Sequence, residues 1–402
     1  MAKLLLSYVY IKALAISIHS TLFRSLIMRI LITGGAGFIG SHTANQFALA
    51  SHEVNVFDNL NTQVHESNTQ FPAYLHSNII KVKGDIRDFH AISYAIKDQE
   101  VIYHLASLTG VGQSMYQVKE YIDVNCNGTA NLVEAIIHAK HKPKKVILSS
   151  SRAIYGEGNH LCTKCNHTTW NTRKTEKLNA GNFEIVCPLC QNLTTEVSVE
   201  ETRTPNPLSV YAETKRNQEE YLKYLPQFHG VPLTILRYFN VYGSQQSLKN
   251  PYTGILTVFF NQVQYGQKIN IYEDGKPTRD FVHVDDVVQA NLLALKFQHN
   301  GTEIFNIGSG KNYLIREAAE ILSKACKKKA EIKETNTLRA GDILACTANI
   351  DRSYFILGFK PQVSLKKGIE EFVQWAKEQK SSDQYDSTVT ELSKYNLIGN
   401  FQ

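Results

Sequence analysis

Ile30-Leu31-Ile32-Thr33-Gly34-Gly35-Ala36-Gly37-Phe38-Ile39-Gly40 decides the fold. Ile30 to Thr33 reads as a buried strand, and the chain from Phe38 to about Ala50 reads as a helix. Between them Gly34, Gly37 and Gly40 stand in the order G-x-x-G-x-x-G. Glycines here let the chain turn tightly, let backbone N–H groups approach a pyrophosphate, and let the helix pack on the sheet. The helix N-terminus then faces the anion. Such a triplet is weak evidence alone; a strand before it and a helix after it make it a dinucleotide-binding turn, with Phe38 and Ile39 among its contacts.

Val54–Asp58 reads as the next strand. Asp58, 18 residues beyond Gly40, is placed to accept hydrogen bonds from adenosine ribose hydroxyls, with Asn59 beside it. A carboxylate there repels a 2′-phosphate, so NAD is expected rather than NADP. Further strands fall near residues 79–82, 101–105 and 146–149, with helical stretches between them such as 127–140. Short apolar strands separated by helices imply a parallel sheet covered on both faces. The fold class is therefore α/β: a Rossmann-type doubly wound parallel sheet with a smaller mixed C-terminal substrate domain.

The rhythm breaks near Gly156, where residues 157–200 are polar, cysteine-rich and without helical periodicity. It resumes with a helix over 209–225 and a strand over 233–238. Later strands are expected near 269–272 and 304–307, and helices near 315–324 and 365–378. The division that follows is a cofactor domain over 28–156, continued by 201–240 and about 281–300; an insert over 157–200; a substrate domain over 241–280 and 301–380; and a polar, mobile tail over 381–402, apart from a short stretch around Leu392–Leu397.

The 402 residues are 43% hydrophobic and 20% charged, which excludes a disordered or collagen-like chain. Net charge is +6, and Lys3, Lys12 and Arg24 place half of it in the first 27 residues. The remainder is too weak a bias for nucleic acid, though it suits an anionic small molecule. Leu4 to Ile18 is mostly apolar but interrupted by Lys12 and too short for a membrane helix, and no small-x-small cleavage site precedes Met28. Residues 1–27 read as an extension or a start assigned too far upstream, with a membrane-surface anchor as the second reading. A cytoplasmic protein is expected.

Ser209-Val210-Tyr211-Ala212-Glu213-Thr214-Lys215 holds Tyr-x-x-x-Lys on a helix. Residues four apart share a face. A Lys ammonium beside the phenol is expected to lower its pKa, so that Tyr211 serves as a base. The pattern alone occurs on solvated helices. Here it joins the glycine turn and a serine run, Ser149-Ser150-Ser151-Arg152-Ala153-Ile154-Tyr155-Gly156, at the C-terminal end of a strand. Ligands of open α/β sheets bind there. Ser151 is placed to hold a reacting hydroxyl, while Ser149 and Ser150 are expected to cap and pack.

With these residues in place the chain resembles the extended short-chain dehydrogenase/reductases of the NAD-dependent epimerase/dehydratase family, over residues 28–380. The resemblance assigns Ser151, Tyr211 and Lys215 as the catalytic triad. It assigns Asp85 and Ile86 of Gly84-Asp85-Ile86, Leu105 and Ala106 of His104-Leu105-Ala106, Asn125 and Tyr238 to the cofactor. It gives Arg152 and Asn240 to the substrate, Tyr272 to a nucleotide base, and Arg279 and Arg339 to a diphosphate, which guanidinium forks suit. Thr109 departs from the lysine that galactose epimerases often carry near the cofactor. Dehydratases of the family are expected to carry an acidic pair after the catalytic hydroxyl residue; Arg152 and Ala153 stand here instead. Reversible oxidation at one carbon, that is, 4-epimerisation of a nucleotide-diphosphate sugar, remains. A homodimer through a helical face of the cofactor domain is also implied.

Cys162-x-x-Cys165 and Cys187-x-x-Cys190 lie 21 residues apart in the insert. Two such knuckles offer four thiolates, a closed tetrahedral zinc site that is structural rather than catalytic. His160 and His167 read as loop residues, and Cys126, Cys326 and Cys346 as ordinary thiols. The insert leaves and rejoins the sheet beside the active site, where it could shape the substrate mouth or a subunit contact. Its flanks, Ser150–Gly158 and Ser209–Lys215, and the run from Gln246 to Gly254 resemble a dTDP-L-rhamnose 4-epimerase-like subgroup. The alternatives are a UDP-hexose or UDP-uronate 4-epimerase, a non-enzymatic NAD-sensing binder, and a zinc-ribbon nucleic-acid module. The last has only modest aromatic support around Lys164, Arg173, Lys174 and Lys177.

Overall fold

The computed structural model describes residues 27–65, 70–250, 252 and 254–399. The extension over residues 1–26, and Pro251 and Thr253 of the 246–254 run, lie outside the described residues.

Seven strands form one parallel sheet: β1 (Arg29–Thr33), β2 (Glu53–Asp58), β3 (Ile80–Lys83), β4 (Val101–His104), β5 (Lys145–Ser151), β6 (Leu233–Tyr238) and β7 (Thr302–Ile307). Their spatial order is β7-β6-β5-β4-β1-β2-β3. The order reverses between β1 and β4, and the crevice at the carboxyl ends of those strands is where such sheets hold ligands. The central strands are apolar on both faces because both are covered: Ile30, Ile32, Val56 and Tyr103 pack into one core, Leu31, Phe57, Ile102 and Leu148 into the other. On the first face lie α1 (Phe38–Leu49) and α4 (Val284–Lys296); on the second lie α2 (Gly128–His138) and α3 (Val210–Leu222).

β7 corrects the sequence division, which placed residues 301–380 wholly in the substrate domain. Thr302–Ile307 pairs with β6 and is the sheet's edge strand. The second lobe has its own core, built from Tyr242, Phe259, Phe260, Phe281, Leu322, Ile369 and Phe372 among others. A parallel two-strand pairing, Asn240–Tyr242 on Phe281–His283, joins the lobes.

The insert is not irregular. Asn159–Cys162, His167–Thr169 and Thr195–Val197 form a small antiparallel sheet, and Thr175–Asn179 is a short helix. The segment after Lys380 is a second correction: it contains the helix α5 (Tyr385–Lys394) and a strand, Ile398–Gly399, paired with Leu338–Arg339. Among the described residues no helix is long and apolar enough to cross a membrane.

Candidate active site

The turn after β1 needs its glycines. Gly34 has φ +68°, and a β-carbon on it would come within 2.7 Å of the Ala106 nitrogen. A β-carbon on Gly40 would stand 2.4 Å from the Gly34 carbonyl. Gly37 caps α1 without a side-chain acceptor, which leaves the first-turn N–H groups for an anion. Asp58 ends β2 beside this turn. Its carboxylate accepts from Ala36 N at 3.0 Å and Leu60 N at 2.8 Å, so it braces the turn with lone pairs to spare.

A cavity of about 540 Å³ opens along the carboxyl ends of the strands. Gly34, Gly37, Phe38, Ile39, Gly40, Asp58, Asn59, Ile86, Leu105, Ala106 and Tyr238 line its cofactor-lobe half. Ser151, Arg152, Tyr211 and Lys215 line the middle, and Asn240, Tyr272, Arg279 and Arg339 the far half. Two expected cofactor contacts, Asn125 and Asp85, are not among the residues that line it. Asn125 is fully buried; it accepts from Leu108 N at 2.8 Å and donates to Leu108 O and Thr214 Oγ1, clamping the loop after β4. Asp85 accepts from Arg87 Nη2 at 2.7 Å and from Asn59 at 3.0 Å; burial opposes its charge, but those bonds hold its pKa at about 2. Asn125 shapes the wall from behind, whereas Asp85 is half-buried and stands between Gly84 and Ile86, which line it.

Ser209 caps α3 by accepting from Ala212 N, and so sets the helix that carries Tyr211 and Lys215. Tyr211 is half-buried in the cavity wall, and burial raises its pKa; a hydrogen bond with Ser151 and the charge of Arg152 pull the other way. Lys215 differs from expectation. Its Nζ donates to the Ser149 carbonyl at 2.8 Å and to Gln218 at 2.9 Å, and burial draws its pKa down to about 7 against the pull of Glu219. Ser151 and Arg152 draw the Tyr211 phenol down against burial, while the Lys215 ammonium is engaged by Ser149 and Gln218.

A buried polar array that the sequence did not reveal supports the serine run. Ser150 donates to Glu219, and Glu219 takes a two-pronged bond from Arg237, at 3.0 and 2.7 Å. Arg237 also donates to Tyr155, whose hydroxyl bonds Asn306 on β7. On the other side of the sheet's switch point, His104 bridges Thr33 on β1 and Thr129 on α2; burial lowers its pKa to about 3, which keeps it neutral.

At the far end the two arginines differ. Arg279 is buried, and its pKa falls to about 10 through burial and then Arg152. The fork of Arg339 is engaged by Asp342, at 3.0 and 2.7 Å, and its guanidinium lies 5.2 Å from the Tyr272 ring centroid. That is ion pairing, not the open fork expected for a diphosphate. Asn240 Oδ1 is buried and, among the described residues, without a partner, although Asn240 lines the cavity. Such an atom is costly unless a ligand meets it.

The four cysteines come together. Their sulfurs lie within 4.8 Å of one another, with Cys162 and Cys190 at 3.6 Å. A disulfide needs about 2.05 Å, whereas neighbouring sulfurs around a tetrahedral zinc sit roughly 3.8 Å apart, given Zn–S bonds of about 2.3 Å. Each knuckle is followed by a left-handed residue, Asn166 at φ 48° and Gln191 at φ 59°. The donor set and its spacing fit a zinc ion.

The insert stands behind the cavity, which residues 157–200 do not line. It acts from behind. Arg173 bonds Glu157 at 2.7 Å and both oxygens of Glu273, at 2.6 and 3.0 Å, with all three side chains nearly inaccessible. Glu273 follows Tyr272, and Arg173 also donates to the carbonyl of Asp342. The insert thus fixes the segments that carry Tyr272, Asp342 and Arg339.

A Rossmann sheet with a Ser-Tyr-Lys set at its switch-point crevice is the site of an extended short-chain dehydrogenase/reductase. The comparisons agree with it. Residues 188–308 match the family model for the NAD dependent epimerase/dehydratase family, and residues 31–171 match that for GDP-mannose 4,6 dehydratase. The dTDP-L-rhamnose 4-epimerase of Burkholderia thailandensis is 36% identical over 86% of this chain and 94% of its own. Among solved structures, UDP-glucuronic acid 4-epimerase from Bacillus cereus, with UDP-glucuronic acid and NAD, superposes at TM-score 0.71 with 27% identity, covering 87% of this chain and 99% of its own. UDP-glucose 4-epimerase from Thermotoga maritima, with UDP-glucose, gives 0.69 and 28%, covering 87% and 99%. The chain belongs to the NAD-dependent epimerase/dehydratase family.

Arg173→Met strips a cation from two buried carboxylates. It is expected to cost about 3–5 kcal/mol in urea denaturation; a loss below about 1 kcal/mol would contradict the brace.

Proposed function

We propose that the protein is an NAD-dependent nucleotide-sugar 4-epimerase acting through transient oxidation at C4, with dTDP-L-rhamnose as substrate and dTDP-6-deoxy-L-talose as product. One observation carries the reaction: Tyr211, hydrogen-bonded to Ser151 and one turn before Lys215, sits midway along a cavity that joins the glycine turn to Tyr272, Arg279 and Arg339. Arg152 and Ala153 follow Ser151, so the acid needed to expel water from C5–C6 is missing at that position, which supports epimerisation over dehydration. The dTDP-L-rhamnose assignment rests on the similarity to the Burkholderia enzyme and on the motifs flanking the insert. The UDP-glucose and UDP-glucuronic acid 4-epimerases are the second reading.

The Gly34–Gly40 turn and Asp58 would hold NAD⁺, which would supply the acceptor for the C4 hydride. Ser151 orients the sugar 4-hydroxyl. Tyr211 Oη takes its proton as the C4–H bond breaks, leaving a 4-keto sugar. Lys215, anchored on Ser149, steadies the nicotinamide ribose side of the site. The keto sugar turns about its link to the diphosphate and presents its other face. Tyr211 then returns the proton to the oxygen as the C4–H bond re-forms on that face. Positioned proton transfer of this kind contributes about 10²–10⁴-fold.

A structural zinc on Cys162, Cys165, Cys187 and Cys190 belongs to the same proposal, since it would lock the lobe from which Arg173 reaches out. So does a cytoplasmic homodimer. The exposed Val118, Ile122, Tyr221, Tyr224 and Phe228 on helices of the cofactor lobe offer it an apolar face.

Tyr211→Phe is expected to lower kcat by at least about 10²-fold while NAD stays bound; a variant that keeps turnover would remove the base from Tyr211. Metal analysis of protein purified under reducing, chelator-free conditions should find about one zinc per chain, and none would refute the zinc site.

A further inference from the structure

The chain after Lys380 is fastened to both lobes. Toward the cofactor lobe, the Tyr395 ring stacks on Tyr116, centroids 4.5 Å apart and planes 6° from parallel. Tyr252 accepts from Tyr116 at 2.8 Å and donates to Glu391. Leu392 closes over Gly112, where a β-carbon would come within 3.2 Å of it. Toward the substrate lobe, the Ser382 carbonyl accepts from Asn261 at 2.9 Å and the Ser381 carbonyl from Tyr265 at 2.6 Å. Arg339 pairs in register with Ile398, and Ala340 N donates to the Leu397 carbonyl at 2.9 Å.

Between these anchors α5 runs along the cavity, and Tyr385, Thr388, Val389 and Leu392 line it. Tyr385 is hydrogen-bonded to Tyr272 and lies within the field of Arg339. One half of the cavity belongs to the glycine turn. The other brings two phenols and two guanidiniums together: Tyr272, Tyr385, Arg279 and Arg339. Aromatic faces stack on nucleobases; the Arg339 fork is held by Asp342, which leaves Arg279 as the guanidinium to meet phosphate oxygens. The strand that carries Arg339 is paired with the last described strand, so the position of that cation and the closure of α5 are set together.

We propose that α5 is the outer wall of the nucleotide subsite and that Tyr385, paired with Tyr272, binds the nucleotide of the substrate. The inference rests on the nucleotide-sugar reading above and names a further binding residue for it. The segment expected to be a loose tail is then part of the substrate site.

The test is calorimetric titration of the full chain with dTDP and with UDP, beside measurement of bound NAD and of Tm. Tyr385→Ala is expected to weaken binding of the nucleotide on the order of tenfold, with NAD content and Tm unchanged. Tyr385→Phe, which keeps the ring and loses the bond to Tyr272, is expected to fall between that variant and the wild type. Val389→Trp, which fills the same stretch of cavity, is expected to weaken nucleotide binding as well and serves if Tyr385→Ala does not fold. Nucleotide binding unchanged in Tyr385→Ala or in Val389→Trp would overturn this inference and leave the nucleotide-sugar reading standing. A wild-type chain that binds neither dTDP nor UDP would overturn both.

Discussion

The turn from β1 into α1 closes only if no side chain stands at its crossing. A β-carbon on Gly40 would lie 2.4 Å from the Gly34 carbonyl. Asp58 braces the turn through Ala36 N. His104, neutral and buried, ties β4 to β1 through Thr33 and to α2 through Thr129. Asn125 fixes the loop after β4 and reaches Thr214 on α3, the helix that carries Tyr211 and Lys215. The catalytic helix is thus positioned by a chain of buried bonds that starts at the cofactor turn, and each link is costly to leave unpaired.

A second buried array holds the other side of the site. Glu219 and Arg237 meet below Ser150, and Tyr155 carries the connection to Asn306 on the edge strand. Arg173 joins the insert to Glu157 and Glu273. Breaking a buried pair costs more than its formation contributes, because one charge is left in a dry interior. These pairs therefore serve better as devices that fix geometry than as sources of stability. They hold the two halves of the cavity in place.

The sheet, the glycine turn and the Ser-Tyr-Lys set were legible in the sequence because each depends on local pattern: strand runs, glycine spacing, and residues four apart on a helix. The four cysteines were legible for the same reason. What the sequence hid depends on partners far along the chain. Arg173 finds Glu273 a hundred residues away, and Arg339 spends its fork on Asp342. Asn125, which the resemblance assigns to the cofactor, stands behind the wall and is held by Leu108, and Asp85 is held by Arg87 and Asn59. Thr302–Ile307 was given to the wrong lobe because a strand's apolar pattern does not say which sheet it joins. The polar composition after Lys380 suggested a free tail, yet that helix buries only Leu392 fully and is held by ring stacking and polar contacts that composition does not register.

The most direct test of the account offers the purified full chain, with NAD⁺, dTDP-L-rhamnose, UDP-glucose and UDP-glucuronic acid in parallel, and follows the configuration at C4 by NMR. The account predicts inversion at C4 of dTDP-L-rhamnose, giving the 6-deoxy-L-talose epimer with no net consumption of NAD⁺. Inversion of a UDP-sugar alone would keep the mechanism and contradict the substrate. No inversion of any of the three would contradict the epimerase itself.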